Sequence, residues 1–253
     1  LLDRAKAINK AGYERETLMT DKGYYKTYER DDRPPNSQKH PVQLNPIAFL
    51  PMPELVNEGS PVEIAYENRY DLTYKANKPK TRGWTFGEFF LASVRVGRPD
   101  QALKDISTIQ ICRGADPRWI QFYESSFWPG WHMNKSYYFP MHSLFMQGFT
   151  DMLVQDWRGY LDLFACVFDS WKNESFAFQG LRTLGGVEVS GRWDNGKINI
   201  ILKPGQADQI DLKISAKCGQ INAKGQKSGP QTFASGEKVK FSFDGDNEIV
   251  IKN

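Results

Sequence analysis

Near residue 175 the spacing of apolar residues changes from a helical period to a period of two. Upstream, Trp84, Gly87, Leu91 and Val94 recur at three- and four-residue steps, and so do Phe145, Phe149, Met152 and Leu153. A third series, Trp157, Tyr160, Leu161, Phe164 and Phe168, carries the same pattern onward. Residues so spaced share one face of a helix, so this part is expected to be helices packed on helices. Downstream, VEVSGRW at 187–193, a turn at Asp194, Asn195 and Gly196, and KINIILK read as a β-hairpin. IDLKISA at 210–216, KVKFSF at 238–243 and EIVIKN at 248–253 continue the alternation between Gly-bearing turns. Helices followed by strands predict segregated layers rather than a parallel α/β sheet. The expected fold is mixed α and β in separate domains: a helical portion over 1–174 and a C-terminal antiparallel β-sandwich over 175–253.

Local signals set boundaries inside the helical portion. Thr85 with Glu88 three residues later has the spacing of a capping box, and Pro99 with Asp100 marks the start of the helix QALKDISTIQ. The polar segments at 31–41 and 67–83 read as long connections.

Composition removes several classes of function. Thirty-three Lys and Arg face 30 Asp and Glu, a net charge of +3, which is too balanced for a nucleic-acid or anionic-membrane binder working by bulk charge. The longest apolar runs fall far short of the roughly 20 residues that span a bilayer. The opening residues LLDRAKAINKAG carry charge throughout, unlike a signal peptide, and include no initiator Met, so the chain is expected to start inside a longer polypeptide. Cys112, Cys166 and Cys218 are isolated from one another and from His, which predicts buried thiols and no metal site. No cofactor motif is present: there is no glycine-rich dinucleotide loop, P-loop, nucleophile elbow or HExxH.

What stands out chemically is RWIQFYESSFWPGWHMNKSYYFPMH, from Arg118 to His142, where aromatic rings alternate with hydrogen-bonding groups. Stacking faces beside polar groups suit a carbohydrate, whose rings have apolar faces and a hydroxyl rim. Aromatics at this density also pack cores, but a WPGW turn is harder to bury than a helix stripe because its backbone must find partners. Trp128, Trp131, His132 and Asn134 are therefore candidate sugar contacts, and Gln43 a further one. Glu124 lies within the aromatic run, where desolvation would raise its pKa toward general-acid work. His142 heads the helix MHSLFMQGFTDMLVQDW, whose free N–H groups favour an anion or a sugar hydroxyl. Glu124 and His142 are the candidate catalytic residues.

The stretch FQGLRTLGGVEVSGRWDNGKI, from Phe178 to Ile198, resembles the start of the C-terminal β-domain in glycoside hydrolase family 95, the α-L-fucosidase and α-L-galactosidase group. The pattern there is roughly GLRARGGFEVDLxWxDGKL, matched in register by Gly180, Leu181, Arg182, Gly185, Gly186, Glu188, Val189, Trp193, Gly196 and Lys197. GFTDMLVQDW at 148–157 is similar to that family's GVAEMLLQSH helix, and RGWTFGEFFLASVRVGRPDQAL at 82–103 to GWSLAWKINLWARLGDGERAY. Family 65 phosphorylases and hydrolases carry related segments. The resemblance covers residues 82 to 253.

This resemblance implies an (α/α)6 toroid followed by a β-sandwich. A toroid needs twelve helices, about twice what this chain holds, so an upstream portion of the same polypeptide is an expected partner. The implied activity is inverting hydrolysis of a glycosidic bond in an oligosaccharide or polysaccharide, outside the cell or in the periplasm. The family's DANFG aspartate, which helps activate the attacking water, falls on Pro140, with His142 at the asparagine. A non-catalytic carbohydrate-binding or scaffold protein, or a lyase or phosphorylase, is the alternative on the same fold.

Overall fold

The computed structural model describes residues 2–11, 19–26, 41–49, 58–77, 83–111 and 139–253. Its contacts divide the chain into two compact units, Leu1–Thr81 and Arg82–Asn253.

In the first unit, α1 spans Leu2–Ala11, a 3-10 turn over Val42–Leu44 runs into α2 (Asn45–Ala48), and α3 covers Pro61–Asn77. The start of α3 is built by Ser60 and Glu63. The Ser60 hydroxyl accepts the Glu63 N–H at 3.2 Å, while the Glu63 carboxylate reaches back to the Gly59 N–H at 2.6 Å, and Pro61 fills the first helical position. These groups satisfy donors that a helix start otherwise leaves open. The helix then runs to Asn77, so residues 67–77 are helical where a long connection was expected. Buried Tyr66, Tyr70 and Thr73, at three- and four-residue spacing, give it the inward face that its many charges obscure in the sequence. The polar segment at 31–40 lies outside the described residues.

The second unit opens with α4 (Gly83–Arg95), α5 (Pro99–Ile111) and α6 (Phe139–Leu153). α5 begins at Pro99, as expected. Helix α4 is apolar on nearly all sides: Phe86, Phe89, Phe90, Leu91, Ala92 and Val94 are each at most 2% exposed, which is the mark of a helix enclosed by its neighbours. Burying each of its Phe rings is worth about 1.5–3 kcal/mol. Contacts along α4 and α6 advance together. Gly87 meets Leu144, Phe90 stacks on Phe145 with centroids 4.8 Å apart, and Arg95 pairs with Asp151. The two helices therefore run parallel, with their N-termini at one end of the pair.

The β-rich remainder is two sheets face to face. One has the order β1-β2-β6-β9, from β1 (Val154–Gln155), β2 (Leu161–Leu163), β6 (Gln209–Ile214) and β9 (Lys238–Ser242). The other has the order β3-β4-β5-β10-β7-β8, from β3 (Ser175–Arg182), β4 (Glu188–Asp194), β5 (Lys197–Lys203), β7 (Gln220–Lys224), β8 (Gln231–Ala234) and β10 (Ile249–Lys252). Inward positions alternate along each strand: Val189, Gly191 and Trp193 on β4, Ile198, Ile200 and Leu202 on β5, Leu212 and Ile214 on β6. The hairpin between β4 and β5 closes on Asn195 and Gly196, at φ +50° and +81°, with Asp194 paired to Lys197. Positive φ at both loop residues is what a type I′ turn requires.

Two expectations need correction. The sandwich is not wholly antiparallel, because β2 pairs parallel to β6. The intervening chain supplies β3, β4 and β5 to the opposite sheet and returns beside β2 in the same direction, the long crossover that parallel pairing needs. The aromatic series from Trp157 to Phe168 is not a helix stripe. Helix α6 ends at Leu153, and these residues form β2 and a turn in which Phe164 takes φ +51°. Tyr160, Leu161, Leu163, Phe164, Cys166 and Phe168 are all at most 5% exposed, so burial on every side, rather than one helix face, set their spacing.

Candidate functional site

Glu88 is a carboxylate where the fold has no solvent face to offer one. It lies on α4 between Gly87 and Phe89 and is 1% exposed. Its Oε2 accepts the Trp84 indole N–H at 3.1 Å, one helical turn earlier on the same face. Its Oε1 is buried with no hydrogen-bond partner among the described residues. Burial pushes the carboxyl up to about 7, against the opposing pull of the Trp84 hydrogen bond. At neutral pH the group is thus divided between a carboxylate and a carboxylic acid able to donate from an oxygen that no other described residue engages. A buried acceptor left open costs roughly 1–3 kcal/mol, and such groups cluster where chemistry uses them.

The preceding residue, Gly87, brings a second helix against α4. A Cβ on Gly87 would lie 2.7 Å from the Leu144 Cβ, so the glycine is what lets α6 approach α4 beside Glu88. Because the helices are parallel, the end of α4 that carries Trp84 and Glu88 coincides with the end of α6 that carries His142, which is half-buried in the first turn.

At the other end of the pair the polar groups saturate one another. Arg95 Nε donates to Asp151 Oδ2 at 2.6 Å, Gln147 Nε2 donates to Asp151 Oδ1 at 2.6 Å, and Gln155 Nε2 donates to the Asp151 carbonyl at 2.9 Å. Burial raises the Asp151 carboxyl above its ordinary value, while Arg95 and Gln147 pull it down. Ser93 donates to Asp105 at 2.9 Å and ties α4 to α5. With its partners built in, this network is structural.

A concavity of about 300 Å³ in the sandwich is likewise internally satisfied. Lys240 lies 3.8 Å from Asp211, Thr183 Oγ1 accepts the Val187 N–H at 3.0 Å, and Asp156 accepts the Leu184 N–H. Among the described residues no group of three or more His, Cys, Asp or Glu converges on a point where a metal ion would bind. Cys166 is 2% exposed with its thiol pushed up to about 12 by burial, and the half-buried Cys218 thiol is raised to about 11. Neither is a poised nucleophile. Cys112 lies outside the described residues.

Of the site residues expected from sequence, Glu124, Trp128, Trp131, His132 and Asn134 lie outside the described residues. Gln43 belongs to the first unit, where it is 5% exposed and its amide donates to Thr73 Oγ1 at 3.3 Å. His142 belongs to the second unit. The Thr85–Glu88 capping box is not formed. Helix α4 starts at Gly83, so Thr85 is inside the first turn and buried, and the Glu88 carboxylate faces Trp84. The sequence held one clue to this: of the residues three and four positions from Glu88, Trp84, Leu91 and Ala92 are apolar and only Thr85 is polar, which leaves no charged face for it. The sequence matches no protein-family model and no curated protein.

Proposed function

We propose that the protein is carbohydrate-active, a glycoside hydrolase that cleaves a glycosidic bond with inversion, in which α4, α5 and α6 belong to an (α/α)6 toroid completed by further helices of the same polypeptide. The observation that carries this reading is Glu88. Hydrolysis with inversion needs one carboxyl that is protonated at working pH to hand its proton to the leaving oxygen, and a second group to activate water on the opposite face of the sugar. Glu88 has the burial and the raised pKa of the first of these, and an oxygen without a partner among the described residues. In this proposal it takes the proton-donor role that the sequence suggested for Glu124, with His142 and the aromatic run from Trp128 to Asn134 as sugar contacts.

The test is Glu88→Gln, assayed on a panel of oligosaccharides and on the matching glycosyl fluorides. Fluoride departs without a proton, so a lost proton donor slows the oligosaccharides by about 10²-fold or more and spares the fluorides. Equal loss on both, or loss on neither, overturns the role. The anomer first released, followed by NMR, reports inversion.

A second reading, a carbohydrate-binding protein without turnover, draws on one observation: the first turn of α6 carries no acidic residue, and Pro140 stands where the resembling family has its aspartate. On that reading no panel member is cleaved, and Glu88→Gln changes sugar affinity alone.

A further inference from the structure

The outer face of the six-stranded sheet carries a row of side chains that crosses every strand. Backbone pairing aligns Ala177 with Arg192, Arg192 with Asn199, Asn199 with Lys252, Lys252 with Asn222, and Asn222 with Thr232. All six are exposed, since the inward positions of the same strands hold the sandwich core. From β4 to β7 the row reads cation, amide, cation, amide. Arg192 and Lys252 have no ion-pair partner among the described residues, and neither has Lys224, which flanks the row on β7. Of the acids on this face, Asp194 lies two residues from Arg192 on β4 and is held low by the Ser175 hydroxyl and, more weakly, by the Arg192 charge, while the others are engaged away from the row. Glu188 is paired with Arg182 at 3.1 Å and Lys203 at 3.6 Å, Glu248 with Lys203 at 3.7 Å, and Asp194 accepts the Ser175 hydroxyl at 2.5 Å. At the β10–β7–β8 end the face is hollowed into a groove of about 390 Å³ lined by Asn222, Lys224, Gln231, Thr232, Val250 and Lys252.

Adjacent strands lie about 4.8 Å apart, so the two cations of the row stand about 10 Å apart with an amide between them. One strand step is close to the length of one pyranose unit, so the spacing fits a polymer in which every second sugar carries a negative charge. Amides, which both donate and accept, suit the hydroxyls of the neutral sugar between, and the apolar Val250 in the groove suits a ring face. We infer that this face is a second carbohydrate-binding surface, taking an acidic polysaccharide whose charged sugars alternate with neutral ones. It rests on the carbohydrate reading above and is separate from the Glu88 end of α4. Charge complementarity decides the class of ligand: a neutral glucan brings no carboxylate to either cation, whereas a fully charged polyuronate sets half its carboxylates against amides.

The experiment is titration calorimetry with hyaluronan, polygalacturonate, a neutral β-glucan and duplex DNA, on the wild-type chain and on Arg192→Glu/Lys252→Glu. Both positions are exposed, and a thermal melt of the variant checks folding, with Arg192→Gln/Lys252→Gln as the milder form. The inference expects hyaluronan to bind more tightly than the other three, to weaken with added salt, and to lose tenfold or more in affinity in the charge-reversed variant. No binding of hyaluronan, binding unchanged by the double substitution, or equal binding of polygalacturonate or DNA overturns it. The wild-type chain's turnover of the oligosaccharide panel separates the two readings: absent hydrolysis with hyaluronan binding intact counts against the hydrolase and leaves the sheet face standing, and the converse result does the reverse. Glu88→Gln should lose turnover and keep its hyaluronan affinity.

Discussion

Gly148 of α6 sits directly on the ring of Phe90 of α4: a Cβ at that position would lie 2.4 Å from the ring's Cε1 and 2.6 Å from its Cδ1. Phe90 has nowhere to retreat. It is fully buried, stacked on Phe145 with an interplanar angle of 8°, and packed against Phe149 with centroids 5.1 Å apart. The absent side chain is thus the condition for the close parallel packing of α4 and α6.

Gly148→Ala is therefore expected to destabilise the protein, although alanine is the better helix former by about 1 kcal/mol. Overpacking a core costs about 1–3 kcal/mol, and the rigid aromatic stack puts this site toward the upper part of that range. Urea denaturation should show a lowered midpoint. An unchanged or raised midpoint would mean that the helices separate at no cost.

Glu88 gives stability a pH dependence whose sign is fixed by its raised pKa. Between its ordinary value of 4.5 and about 7, the folded protein holds a proton that the unfolded chain releases. This contribution is whole below pH 4.5 and is lost as pH rises through about 7, a swing of about 3 kcal/mol. Glu88→Gln, neutral throughout, should match the wild type in this contribution near pH 4 and be the more stable protein at pH 8. Denaturation midpoints of both proteins across that range check it, and parallel curves would show that Glu88 is not buried as a neutral acid. A residue whose ionisation weakens the fold is one kept for another reason, in line with the proposed proton donor.

Where local rules and tertiary structure agree, the sequence was readable. The turn at Asn195 and Gly196, flanked by alternating residues, located β4 and β5 to within a residue, and Pro99 located the start of α5. Helix α4 was readable from its apolar spacing, but not the state of Glu88 within it. A glutamate three residues after a threonine has the same letters in an exposed cap and in a buried site, and only the tertiary burial of α4 separates them. The genuine cap, Ser60 with Glu63, went unnoticed because the charged stretch after it hid the inward face of α3. The series from Trp157 to Phe168 misled for the opposite reason: residues buried on all sides satisfy any period. The pairing of β2 with β6, separated by three strands of another sheet, left no local mark at all.

The Arg95–Asp151 pair offers a test of how the far end of α4 and α6 is held. Both side chains are under 10% exposed, at 2.6 Å. Arg95→Ala strands a buried carboxylate and should cost about 3–5 kcal/mol, whereas Arg95→Met with Asp151→Leu removes both charges and should recover most of that loss. A double variant no more stable than the single would show that the surrounding bonds from Gln147 and Gln155, rather than the charge pair, carry the contact.

Asn253 should matter more than an exposed side chain usually does. Its Oδ1 accepts the Ile198 N–H at 2.6 Å, and its Nδ2 donates to the carbonyls of Gly196 at 3.2 Å and Cys218 at 2.5 Å. One amide thereby joins the β4–β5 turn to the chain entering β7, across the end of β10 that lies between them in the sheet. Hydrogen bonds contribute about 0.5–1.5 kcal/mol each, and solvent competes for these, so Asn253→Ala is expected to cost about 1–2 kcal/mol. For a chain of this length that is a fall of a few degrees in melting temperature. Asn253→Asp keeps the acceptor toward Ile198 and loses both donors, so it should fall between alanine and the wild type. If aspartate instead equals the wild type, the two carbonyl contacts contribute nothing and the Ile198 bond alone pins the turn.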